Sequence, residues 1–150
     1  MEFLDIIDDN DDVIGSASRD EIYEKRLLHR IVHVFVFRGD KMALQLRSEE
    51  ASYLPLHWCT AAAGHVSAGE TCEEAALREL EEETKVRLPI EFLGNFFVSD
   101  IGIKKLLVSF TANFDGDLEA GDKVKKIKFF SIDEINICGL KAAVFLHEWK

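Results

Sequence analysis

Glu79, Glu82 and Glu83 are spaced i, i+3, i+4. On a helix that spacing projects three carboxylates from one face. Like charges at i, i+4 repel by roughly 0.2–0.5 kcal/mol on an open helix surface. The repulsion grows in a cleft, where the effective dielectric is lower. A hard divalent cation relieves it: Mg²⁺ takes oxygen ligands, keeps several waters, and is held by a few carboxylates together with substrate phosphates. A bare Glu-rich helix is otherwise a solvated acidic face. What sets this one apart is its fixed distance from Gly64, Glu70 and Arg78.

The surrounding residues define the element that carries the carboxylates. Gly64-His65-Val66-Ser67-Ala68-Gly69-Glu70 reads as a glycine-bearing loop entering a helix. Thr71 with Glu74 three residues later is a capping box that marks the helix start. Ala75, Ala76, Leu77 and Leu80 are good helix formers and supply the apolar face.

Gly64, Glu70, Arg78, Glu79, Leu80, Glu82, Glu83 and Val86 fall in register with the signature G-x5-E-x7-R-E-U-x-E-E-x-G-U, where U is a bulky aliphatic residue. The chain thereby resembles the Nudix hydrolases. Only the last glycine departs, being Lys85. In the family that glycine ends the helix in a conformation with positive φ; a lysine favours a helix C-terminus through its charge. The departure bears on how the chain leaves the helix, not on the carboxylates.

The resemblance implies an α+β fold, an α/β/α sandwich around a mixed β-sheet with the acidic helix on one face. It also implies metal-dependent cleavage of a diphosphate linkage in a nucleoside diphosphate derivative, with Mg²⁺ or Mn²⁺ as cofactor. Glu79, Glu82 and Glu83 are then the metal ligands, joined by the Gly64 carbonyl. Glu70 and Arg78 form a supporting carboxylate–guanidinium pair that ties loop to helix. Glu79 is one choice of general base. Glu119 and Asp122 are others outside the signature, although Lys123 and Lys126 stand where further acids are expected. Arg47, at a strand end, has the fork geometry that suits phosphate, and His65 is placed for a substrate contact. Tyr53, Trp58 and Phe97 are aromatic enough to stack on a base, but such rings in apolar runs belong more often to the core.

The N-terminal half resembles a narrower branch, the Nudix proteins close to isopentenyl-diphosphate isomerase. The residues are Asp5-Ile6-Ile7-Asp8, Val13-Ile14-Gly15, Arg19 and Leu28-His29-Arg30. His29 and His65 fall where two metal-binding histidines of that isomerase lie. Its cysteine, however, is Ala63 here, a third histidine near Ile22 is missing, and the acidic pair expected after Gly102 is absent around Ile103 and Lys105. Without thiol and acid, proton transfer to and from an alkene has no evident donor, and hydrolysis is the preferred reading. A domain that only binds nucleotides is a further alternative, against which the retained Glu79, Glu82 and Glu83 argue.

Composition narrows the field. The chain has 150 residues, enough for one domain with a sizeable core, and 47% are hydrophobic. With 18 Lys and Arg against 28 Asp and Glu, the net charge of −10 disfavours a nucleic acid polymer as partner. A small phosphorylated substrate is still allowed, since a bound metal inverts the local sign. Cys59, Cys72 and Cys138 make no C-x-x-C pair, and their odd number without a signal peptide fits a reducing cytoplasm. No apolar run reaches the roughly 18–20 residues of a membrane span. A homodimer is allowed by the resemblance alone.

Along the chain, 3–15 reads as a β-hairpin around an Asp/Asn turn. Ser18 with Glu21 opens a short helix to about Leu28. Ile31–Phe37 is a dense apolar run, expected as a central strand buried on both faces, and Met42–Arg47 is its hairpin partner. Residues 48–57 read as a loop. Strands follow at Ile90–Val98, Lys105–Phe114 and Lys126–Ile132, with an acidic loop near 115–123 and a turn or short helix at Asp133-Glu134. Leu140–Trp149 has a helical apolar stripe.

Overall fold

The computed structural model describes residues 1–51, 55–100 and 102–137. Tyr53 and the helix expected over 140–149 lie outside these residues.

The N-terminal hairpin forms as expected: β1 (Phe3–Ile7) pairs antiparallel with β2 (Val13–Ser18) in a sheet of their own. Ser18 caps α1 (Arg19–Lys25) by accepting from Glu21 N–H. This helix stops short of Leu28, because Arg26 turns left-handed at φ 56°. The main sheet is mixed. Its central strand β3 (His29–Arg38) runs parallel to β8 (Ile103–Asn113) and antiparallel to β4 (Lys41–Arg47) and β6 (Ala62–His65). β5 (Trp58–Thr60) and β9 (Val124–Ser131) pair with β4, and β7 (Glu91–Asp100) pairs with β8 at one edge.

Alternation along β3 sorts its side chains into two cores. Val32, Val34 and Val36 meet Ala62, Ala75, Ala76 and Leu80, so that α2 (Cys72–Thr84) closes one face. On the other, Phe35 joins Met42, Leu44, Phe130 and Ile135, the last from α3 (Ile132–Ile137). The result is an α+β sandwich about a mixed sheet.

Two expectations change. The stretch 58–65 is two short strands rather than a lead-in and loop, so Gly64 and His65 end a strand. The aromatics also divide. Trp58 is half-buried against Phe130 at a ring separation of 5.0 Å, whereas Phe97 is 56% exposed and belongs to no core.

Candidate active site

α2 starts where the capping box places it. Thr71 Oγ1 accepts from Glu74 N–H at 3.1 Å and Glu74 Oε1 accepts from Thr71 N–H at 3.3 Å. At its other end Lys85 takes the left-handed conformation itself, φ 60°, and donates its N–H to the Glu81 carbonyl at 2.9 Å. The helix exit thus has the family geometry without the family glycine.

Each residue of a helix advances by about 100°. Glu83 therefore falls in the middle of the stripe that buries Ala76 and Leu80, Glu79 lies beside it, and Glu82 is at the margin. The structure bears this out. The Glu79 side chain is 14% exposed and that of Glu82 58%, while Glu83 is drawn under β6, where its Oε2 accepts from Ala63 N–H at 2.8 Å. Burial pushes the Glu83 carboxyl up to about 8, with the Glu79 charge adding to the rise and the Ala63 amide, Gln45 and Arg47 opposing it. Glu79 is pushed up to about 7, again chiefly by burial and against the pull of Arg78. Two acids on one helix face thus give up their protons reluctantly in the absence of a cation.

Gly64 fits this arrangement closely. A Cβ there would stand 2.7 Å from Glu79 Oε2 and closer still to the rest of the carboxylate. The bare backbone is what lets the strand and the carboxylate touch.

Arg78 holds loop and helix together. Its Nε and Nη2 donate to the two oxygens of Glu70, each at 2.9 Å, its Nη1 to Glu79 Oε1 at 2.6 Å, and its Nη2 also to the His65 carbonyl at 3.1 Å. Glu82 Oε2 lies 3.6 Å from the same guanidinium. The fork donated by Arg78 keeps Glu70 below the usual carboxylate range. Glu70 in turn accepts from Ser67 N–H, and Ala68 N–H donates to the Phe3 carbonyl, so β1 pins the loop.

The structure brings Gly64, Glu70, Arg78, Glu79, Glu82 and Glu83 together, and Arg47 is near enough to act electrostatically on Glu83. His65 faces away from the carboxylates. Its Nε2 shares a 2.6 Å hydrogen bond with the Tyr23 hydroxyl, and its ring stacks on that of His29 at 5.7 Å. Burial, with the nearby cations Arg19 and Lys105 assisting, lowers His65 to about 3, so the ring is neutral at physiological pH. His29 and His33 are fully enclosed, and burial lowers both. His29 donates Nδ1–H to the Leu27 carbonyl at 2.9 Å, and its Nε2 has no partner among the described residues.

The loop at 119–123 reaches the site through its backbone. Glu119 N–H donates to the Thr84 carbonyl and Gly121 N–H to the Glu83 carbonyl at 2.9 Å, which caps the end of α2. The Glu119 and Asp122 side chains are exposed. Gly121 escapes a sequence reading, yet a Cβ on it would overlap the Glu82 carbonyl oxygen and sit 3.1 Å from Glu83 Cα. Gln45, buried on β4, and Tyr23 also escape it, because their partners lie far off in sequence.

The donors around Gly64 are all hard oxygens, the type that Mg²⁺ and Mn²⁺ prefer. In the present arrangement no three His, Cys, Asp or Glu side chains among the described residues converge on one point. The donor set fits a hard divalent ion, which the enclosed pair Glu79 and Glu83 would hold together with the Gly64 carbonyl.

The sequence profile of the NUDIX domain matches residues 27–147. An uncharacterized Nudix hydrolase of Nostoc sp. is 42% identical over 59% of this chain and 53% of its own length. An isopentenyl-diphosphate Delta-isomerase of Photorhabdus laumondii is 34% identical over 63% of this chain and 54% of its own. The chain thus spans about half the length of these curated relatives. Among solved structures, a Deinococcus radiodurans protein superimposes with a TM-score of 0.83 at 22% identity, covering 99% of this chain and 96% of that one. A bifunctional NMN adenylyltransferase/ADP ribose pyrophosphatase of Francisella tularensis, complexed with AMP and Mn, gives 0.58 at 21% identity over 75% of this chain and 37% of that one. With its signature residues gathered at one site and the profile spanning most of its length, the chain belongs to the Nudix family.

Proposed function

We propose that this Nudix hydrolase cleaves the diphosphate linkage of a small nucleoside diphosphate derivative, with Mg²⁺ or Mn²⁺ as cofactor, in the cytoplasm. The observation that carries the reading is the enclosed pair Glu79 and Glu83, both raised toward neutrality by burial and both pressed against β6. Such a pair is poorly suited to stabilising the fold and well suited to gaining a cation. Glu79, Glu82, Glu83 and the Gly64 carbonyl would hold the ion, Glu82 from an exposed position. When bound, the ion makes water nucleophilic near neutral pH and neutralises the departing phosphate.

The chain's own residues do the rest. Arg78 fixes the Glu79 carboxylate through one arm and the loop through the others, so the ligand stays in place as charge builds up. Glu70 holds Arg78 in that pose. Arg47 supplies a permanent positive charge to substrate phosphate. His65, its ring turned to Tyr23 and away from the carboxylates, serves the site through its backbone carbonyl, which accepts from Arg78, rather than as a direct substrate contact.

The isomerase relative raises a second reading, and the site speaks against it. Ala63 offers no thiol, and the Tyr23 hydroxyl occupies His65 Nε2, a nitrogen that a metal held by histidines would need.

The test is a panel of nucleoside di- and triphosphates, nucleotide sugars, dinucleotide polyphosphates and isopentenyl diphosphate, each with Mg²⁺, with Mn²⁺ and with chelator. Metal-dependent cleavage of one nucleotide class is expected. Conversion of isopentenyl diphosphate to its isomer, without cleavage of any nucleotide, would overturn the reading.

A further inference from the structure

Among the described residues, the main sheet ends in two strands, β9 and β7, that each pair on one side only and are built differently. β9 carries Lys125, Lys126 and Lys128, all exposed, just after Lys123. Lysines on an edge strand discourage pairing with another chain, because each added strand would have to bury or crowd their charge. β7, on the other side, reads Glu91-Phe92-Leu93-Gly94-Asn95-Phe96-Phe97-Val98-Ser99-Asp100 and has no basic residue. Phe92 is 62% exposed, Leu93 50%, Phe96 49% and Phe97 56%.

These side chains do not lie on one face. Phe96 is in register with Leu107 and Phe97 with Leu106, so the two rings emerge on opposite sides of the sheet. A helix or loop docking on one side would cover only half of them. A strand added to the edge covers both sides and satisfies the outward N–H and C=O groups at the same time.

We propose that β7 is a self-association edge and that its occupant is β7 of a second copy of this chain. Antiparallel pairing of a strand with itself is two-fold symmetric, so the same patch serves both partners. The register shift between Phe92 and Gly94 confines regular pairing to the segment from Gly94 onward. Centred on Phe96, the pairing sets each Phe96 beside its counterpart. Beside the edge, Phe97, Val98, Leu28, Ser99, Lys104 and Asp9 line a cavity of about 380 Å³ that has room for an aromatic ring of the partner. Phe96 and Phe97 within the paired segment, with Phe92 and Leu93 flanking it, offer roughly 400 Å² of apolar surface per copy. Two copies with their backbone edges bury about 1,000 Å², the size of a weak or transient interface. A dimer with micromolar dissociation is the expectation.

Sedimentation velocity of the full chain from about 1 to about 100 μM tests this, since a micromolar equilibrium must shift across that range. The sedimenting mass should rise from the 17.0 kDa monomer toward twice that value. Phe96→Glu should raise the dissociation constant at least about thirty-fold, and Phe96→Ala less, with circular dichroism melting little changed in the alanine variant. Exchange of the outward-facing β7 amides, those not bonded to β8, should be slowed at high concentration and fast on dilution. A wild-type monomer throughout the range would overturn the proposal. So would a dimer that tolerates Phe96→Glu, or protection of the outward-facing β7 amides that does not depend on concentration, which would mean that the chain covers this edge itself.

Discussion

Replacing Gly64 by alanine separates catalytic geometry from stability. The added Cβ would stand 2.7 Å from Glu79 Oε2, where an ordinary contact needs about 3.5 Å. The rest of the carboxylate is closer still, so it must retreat by more than about 1 Å. Arg78 Nη1, donating to Glu79 Oε1 at 2.6 Å, resists that movement on the far side. A displacement of about 1 Å in a catalytic group costs on the order of 100-fold in rate. Stability should hardly move. Alanine is better than glycine inside a strand by about 0.5–1 kcal/mol, and moving the end of a side chain that Arg78 holds costs strain of similar size, which offsets the gain. The assay is kcat on the substrate found by the panel, at saturating Mg²⁺, beside a thermal melt. Gly15→Ala is the control, because a Cβ there meets nothing nearer than Ile6 Cδ1 at 3.9 Å. Activity within about threefold of wild type for Gly64→Ala would refute the reasoning, since the close approach would then have no catalytic meaning.

Further expectations use the same contacts. Glu82→Gln removes an exposed carboxylate, so turnover should fall by about two orders of magnitude or more with the melting temperature unchanged, as steady-state kinetics and calorimetry would show. Arg78→Ala leaves Glu70 and Glu79 without their shared partner and should cost about 2 kcal/mol in chemical denaturation, as well as activity. Lys85→Gly relieves a left-handed lysine at φ 60° and should stabilise the protein by about 0.5–1 kcal/mol. The metal-free protein should also lose stability as pH rises. Glu79 and Glu83 hold their protons to about 7 and about 8 when folded, against an ordinary value of 4.5. The native state then binds more protons than the unfolded one across that window, and stability falls until pH passes about 8. His33 and His65, lowered to about 3, act only below their ordinary 6.5, where stability is lost as pH falls. Between pH 6.5 and 8.5 the carboxyls alone should set the trend, about 2 kcal/mol in melts without metal, and Glu83→Gln should flatten it.

The acidic helix was legible in the sequence because its signals are local. Thr71 and Glu74 cap it, and the three glutamates keep helical spacing. The same spacing even orders their burial, with Glu83 beneath β6 and Glu82 outside. β5 and β6 were not legible. Runs of three and four residues rich in alanine and glycine are too short to show a period. Contacts such as Tyr23 with His65, or Gly121 beneath Glu83, depend on packing between distant segments and leave no spacing to read. Lys85 stands where a glycine was expected, and the helix still ends in the same left-handed turn. There the rest of the fold overrides a local preference.

The central claim is that the enclosed carboxyls of Glu79 and Glu83 exist to receive a divalent ion. Calorimetric titration of Mn²⁺ at pH 7 in two buffers of different ionisation enthalpy tests this most directly, because it counts the protons released as ligands ionise. Wild-type protein should bind Mn²⁺ and release about one proton, and Glu83→Gln should weaken binding and abolish most of that release. Binding of equal strength in the variant, or binding without proton release in the wild type, would contradict the account.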